Sequence, residues 1–159
     1  MAYQKLQVSR ALSVIPSDTV DIPVPGVLAI SSTTTGASAL KLIDSAGDFI
    51  NKGVKTGDIV YSGTTIAATV TAVDSATQLS VSTAVPTLTA YKLYKSSQGP
   101  NNGCVLYVGG AGDVKVMTAS GDVVEFQNVP AGTFMPVQVL RVYATGHTTA
   151  AATNIVAMW

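Results

Sequence analysis

Five residues, Gly109-Gly110-Ala111-Gly112-Asp113, follow the apolar run Cys104–Val108 as a phosphate-cradling loop follows a strand. A dinucleotide site needs G-x-G-x-x-G between a strand and a helix, because the pyrophosphate sits on the free N–H groups of the helix N-terminus. Here the next residues are VKVMT, which alternate as a strand does, and no G-K-[ST] follows to complete a Walker loop. The pattern predicts a hairpin loop in which glycines supply positive φ and the chain reverses.

The other residues capable of chemistry are scattered. Cys104 is the single cysteine and lies in an apolar strand pattern, where a buried thiol acts as a small hydrophobe. A nucleophilic cysteine needs a neighbouring histidine or cation, and the single histidine, His147, stands in the turn-like TGHTTA. One histidine and one cysteine make no zinc set. DSAGDF holds too few oxygen ligands for a calcium loop, and G-x-S-x-G is absent. In the carboxylate pairs Asp18/Asp21, Asp44/Asp48 and Asp113/Asp122, every member but Asp21 stands beside Ser, Thr or Gly, where Asp closes turns. The expectation is a chain without catalytic, cofactor or metal residues. Arg10 and Arg141 are the only arginines, and Arg10 could fork onto a partner's carboxylates or carbonyls. Trp159 ends the apolar run NIVAMW and is expected in the core first, at an interface second.

Composition narrows the class. The 159 residues suit one ordinary domain or two small ones. Hydrophobic residues reach 47%, whereas charged residues make up 11%, under half the roughly 25% usual for soluble domains. So thinly charged a surface is either polar through Ser, Thr, Asn and Gln or covered by other subunits, and its weak protection against self-association hints at assembly. Nine basic residues balance nine acidic ones, which leaves no field for nucleic acid. Residues 1–18 lack the apolar centre and cleavage site of a secretory signal, and no apolar run approaches the ~18 residues of a spanning helix. A soluble protein made in the cytoplasm, with no membrane partner, is expected.

The elements read as β throughout. CVLYV, DVKVMT, DVVEFQ, PVQVLRVYAT and TNIVAM are short apolar or alternating runs between Gly, Asn, Ser and Pro. PVQVLRVYA is apolar on both faces and reads as covered on both sides. Residues 1–26 contain Pro16, Pro23 and Pro25 and read as an extended N-terminal arm. VLAISS then begins an outer β domain, 27–34 with 98–159, of antiparallel sandwich-like type. Residues 35–97 read as an inserted small β module of SH3-like type: SALKLIDS as one strand, AGDFINKG as a helical turn capped by Gly53, then GDIVYS, two strands joined by Asp74–Thr77, and AYKLYKSS. SSQGPNNG, Ser96–Gly103, reads as a linker. On the arm and the terminus, the interface candidates are Arg10, Pro16, Asp18, Pro23, Pro25 and Trp159.

An ordered set of motifs carries a resemblance. LYVGGAGD (Leu106–Asp113), VPAG (Val129–Gly132), PVQV (Pro136–Val139) and RVYATG (Arg141–Gly146), with the final IVAMW strand and the opening ALSVIPSDTVDIP, resemble the head-spike base proteins of gene transfer agents and related virion proteins of marine tailed phages. Two features depart: His147 is inserted where the family reads ATGTTA, and the middle module is absent from compact members. The resemblance implies a virion structural protein on the capsid surface. The expected role is a decoration (cement) protein that binds the major capsid protein through its arm. It would do so as a homo-oligomer, a trimer on the lattice or a pentamer at a vertex. The alternatives are a vertex head-spike base or a carbohydrate- or receptor-binding module.

Overall fold

The computed structural model describes residues 8–96 and 102–159. Most of the expected linker therefore lies outside the described residues, as do the first seven residues of the expected arm. Among the described residues there are thirteen strands: β1 (Ala11–Ser13), β2 (Leu28–Thr33), β3 (Gly36–Ser38), β4 (Lys41–Ile43), β5 (Ile59–Ser62), β6 (Ile66–Val73), β7 (Gln78–Val81), β8 (Ala90–Tyr94), β9 (Cys104–Gly110), β10 (Gly112–Thr118), β11 (Val123–Val129), β12 (Thr133–Val142) and β13 (Thr153–Met158). One 3-10 turn, Pro25–Val27, is the only helical element among them. The protein is all-β, with two antiparallel sheets, each in its own compact unit.

The nested unit spans residues 15–96 and carries β2 to β8 in the order β2-β8-β5-β6-β7-β4-β3. The two ends of that order are successive in the chain. Only Thr34 and Thr35 separate β2 from β3, so the sheet turns back upon itself. Two corners make this possible. At the first, Thr34 is fully buried, and its hydroxyl donates to the Pro86 carbonyl at 2.6 Å and accepts from the Thr89 N–H at 3.0 Å. At the second, β6 pairs with β5 through Ile66–Thr69 and with β7 through Val70–Val73, with a register shift between Val70 and Ala72. Such an irregularity bends a strand and lets it serve both halves of a curved sheet.

Inside lie Leu42, Phe49, Val60, Val70, Leu79, Tyr91 and Leu93. Each large apolar side chain buried this way stabilises by about 1.5–3 kcal/mol. SALKLIDS is not one strand but the hairpin of β3 and β4, turned at Leu40 with φ 52°. AGDFINKG makes a hydrogen-bonded turn, the Lys52 N–H donating to the Asp48 carbonyl at 3.0 Å, that ends at Gly53 with φ 65° and does not extend into a helix. The strand expected at VLAISS forms as β2, but it pairs with β8 of the nested unit and not within the outer domain.

The described part of the leading segment is held in place. Ala11–Ser13 pairs with Val156–Met158 as β1 on β13, and Ile15, Val20 and Ile22 are buried. Pro16 and Pro23 lie outside regular structure, and Ile15, Val20 and Ile22 carry enough apolar surface to hold the stretch down.

The discontinuous unit joins residues 8–14 to 102–159, in the order β1-β13-β9-β12-β10-β11. β9 and β10 are each antiparallel to β12 and stand on opposite sides of it, so they run in the same direction. Only Ala111 separates them. GGAGD is therefore not a hairpin loop: the chain bends there and continues without reversing. The glycines are needed because residues 150–153 lie against the bend. A Cβ on Gly112, whose φ is +152°, would meet the Ala152 nitrogen at 2.5 Å, and one on Gly110 would collide with the Thr153 hydroxyl. Cys104, Leu106, Val108, Val114, Val116, Met135, Val139 and Ile155 fill the interior. β12 is covered on one side more than the other: Met135, Val139 and Val142 are buried, whereas Pro136 and Gln138 are exposed. Register shifts between Met135 and Val139 set this uneven pattern.

Candidate functional site

Asp113, the carboxylate of the glycine motif, is buried at the start of β10. One oxygen accepts the Asn128 N–H at 2.9 Å. The other accepts the Thr149 N–H at 2.6 Å and the Thr149 hydroxyl at 2.9 Å. The Asp113 backbone adds bonds with Ala150 and Ala152. Hydrogen bonds from Asn128 and Thr149 outweigh desolvation and, with His147 nearby, hold its carboxyl below the usual carboxylate range. Three stretches that are separate in sequence, GGAGD, NVPAG and ATGHTTA, thus meet at one side chain.

Beside it, Glu125 of β11 grips the same loop. Its two oxygens accept the Thr148 N–H and hydroxyl, each at 2.7 Å, and these bonds lower its pKa as well. Gln127 donates to the Thr148 hydroxyl at 3.1 Å. His147 has an almost fully enclosed side chain. Its Nε2 faces the Tyr143 carbonyl at 3.2 Å, and its Nδ1 lies 4.0 Å from Glu125. Lys115 donates to the Gly146 carbonyl and stands 5.6 Å from the Tyr143 ring, with Arg141 6.0 Å from that ring. The arrangement clamps the 143–152 loop. Its carboxylates accept bonds from the protein itself.

Cys104 is buried, and its thiol donates to the Val139 carbonyl at 3.3 Å; burial pushes its pKa up to about 12. A thiol so placed is a poor nucleophile. Among the described residues, no group of three His, Cys, Asp or Glu could hold a metal ion.

The interface candidates part company. Arg10 and Trp159 are brought together: their backbones exchange hydrogen bonds of 3.0 and 3.3 Å, extending the β1–β13 ladder. Arg10 is exposed, whereas Trp159 is half-buried with its indole N–H enclosed. Pro16 and Asp18 are exposed, and the Ser17 hydroxyl between them accepts from Thr19 and Val20. Pro25 opens the 3-10 turn. Pro23 is buried.

Sequence reading missed two features. Glu125 as an anchor was signalled by one charge inside the apolar run DVVEFQ. The pairing of Tyr107 with Phe134, 40% and 39% exposed on the outward face of β9 and β12, needed the register to be seen. Fold and site together define a class, an all-β protein of two antiparallel sheets whose conspicuous polar residues hold loops in place. No family model, curated protein or solved structure matches the chain.

Proposed function

We propose that this chain is a structural subunit of a phage particle, a decoration (cement) protein on the head surface. The observation that carries this reading is the convergence on Asp113. Asp113 closes the matched LYVGGAGD stretch, and its donors Asn128 and Thr149 flank the matched VPAG and RVYATG stretches, so the side chain ties together the loops that carry the resemblance, which is what a shared scaffold requires. The partner is the major capsid protein, with further copies of the chain as neighbours. A subunit that binds only the assembled shell stabilises it by mass action. The nested unit fits an SH3-like small barrel, supported by its closing strand order and its two corners. Because β1 and Ile15–Ile22 are held in place, shell contact falls to the surfaces of the folded units and not to an arm running to residue 26.

The test is co-sedimentation of the purified protein with shells that lack it, followed by heating. Saturable binding and a higher melting temperature of the shells are expected. No binding to any phage shell would remove the reading. A vertex location as a head-spike base would show instead as occupancy confined to the vertices of the particle. One observation favours a second reading: Tyr107 and Phe134 form an exposed aromatic pair of the kind on which sugar rings stack. A glycan array, probed with the protein and with Tyr107→Ala, tests that carbohydrate-binding module.

A further inference from the structure

Strand β11 forms one edge of its sheet and, among the described residues, pairs with β10 alone. The phase of that pairing is fixed at its turn, where the Thr118 N–H donates to the Asp122 carbonyl at 2.8 Å. Hydrogen-bonded pairs alternate along an antiparallel ladder. The backbone groups of Val124 and Phe126 therefore point toward β10, and those of Val123, Glu125 and Gln127 point away from the sheet. Exposed edges are ordinarily blunted by lysine, proline or a bulge; β11 contains no lysine or proline, and its bulge, with Asn128 at φ 51°, comes at its far end and leaves Val123–Gln127 regular. Its one charge, Glu125, is held by Thr148. Val123 and Val124 are 52% and 40% exposed.

We infer that β11 is a pairing edge for a second copy of this chain, strand to strand and antiparallel across a two-fold axis at Phe126. In that register Glu125 exchanges main-chain bonds with the partner's Gln127, and Val124 lies opposite the partner's Asn128. Phe126 then faces the partner's Phe126. A register centred on Glu125 would instead set two carboxylates opposite each other, which is destabilising. At the opposite end of the same sheet stands β1, whose ladder with β13 runs on through Arg10 and Trp159. A chain with 11% charged residues has little repulsion to keep such edges apart. The contact goes beyond the shell reading and stands without it.

Native mass spectrometry and sedimentation velocity of the full chain test the pairing over a concentration series. A species of twice 16.2 kDa is expected to grow with concentration. Gln127→Pro removes an outward N–H, together with the side-chain bond to Thr148, and spares the bonds to β10, with Gln127→Ala as the control that loses the side-chain bond alone and keeps the dimer; Val124→Lys places a charge at the seam. Gln127→Pro and Val124→Lys are each expected to raise the dimer dissociation constant at least about tenfold with an unchanged circular dichroism spectrum. Phe126→Cys is expected to give a disulfide-linked dimer under mild oxidation, and Val123→Cys is not. A monomer at every concentration, a ring of three or more copies, or a dimer that both edge variants leave intact would overturn the assignment. Shell co-sedimentation separates the two proposals: a dimer that ignores shells leaves the edge contact standing, and a monomer that binds them does the reverse.

Discussion

The Tyr91 hydroxyl donates a 2.8 Å hydrogen bond to the Asp44 carboxylate, and both side chains are buried in the nested unit. Burial alone would raise the Asp44 pKa. Bonds from Ser32, Tyr91 and the Ala46 N–H, with Lys52 nearby, outweigh it and hold the carboxyl below its usual range. Burial and the Asp44 charge push the Tyr91 hydroxyl upward. Tyr91→Phe leaves an acceptor short of a donor in the interior and should cost about 1–3 kcal/mol by urea denaturation at neutral pH. The pH dependence follows from the depressed value. Stability from Asp44 is present above the ordinary carboxylate pKa of ~3.9 and is lost as pH falls through the folded value. Asp44→Asn should therefore give a less stable protein with a shallower acid limb.

Asp113 makes a separable prediction about motion. Asp113→Ala removes the acceptor for Asn128 and Thr149 and should free the 143–152 loop while the apolar interior stays packed. Hydrogen exchange at Thr149 and Asn128 should quicken by about tenfold or more, with little change in β9. Uniform quickening across the sheet would mean that the side chain supports the whole unit and not the loop.

Two glycines with positive φ should answer differently to alanine. At Gly112 the added Cβ meets backbone atoms of Ala150, Ala151 and Ala152 at 2.5–2.7 Å, and backbone cannot step aside as a side chain can. At Gly121, with φ +92°, nothing stands within 4 Å. Gly121→Ala should cost about 1–2 kcal/mol from conformational strain alone, and Gly112→Ala should cost clearly more. Thermal unfolding of both variants tests the order.

Removal of residues 1–25 deletes β1 together with Ile15, Val20 and Ile22. The shortened protein should unfold at a markedly lower temperature. Ile22→Ala, which truncates one fully enclosed side chain, should cost about 2–5 kcal/mol by itself. A truncated protein as stable as the full chain would show that this segment contributes nothing to either unit.

What the sequence made legible was local. Period-two runs such as CVLYV and TNIVAM announce their strands, because alternation is a property of neighbouring residues. The turn at Asp74–Thr77 between β6 and β7 was equally plain. Partnership was not legible. VLAISS looks the same whether it pairs with β8 or with a strand of the other unit, and the donors to Asp113 lie 15 and 36 positions away. GGAGD misled because glycine serves two needs, reversal and close approach, and only the register of β12 against both β9 and β10 tells them apart. Among the prolines of the leading segment the signal was present: Ile15, Val20 and Ile22 are too apolar for a free tail.

The pairing of β1 with β13 has a consequence for biosynthesis. A ribosome delivers β1 long before its partner and makes all of the nested unit in between. Residues 15–96 hold all seven strands of their own sheet and can pair them during translation, while β1 waits at the threshold with no ladder to join. The clasp between the first strand and the last can form only when β13 emerges, so a stalled or prematurely ended nascent chain would release a finished inner module flanked by an unzipped outer one.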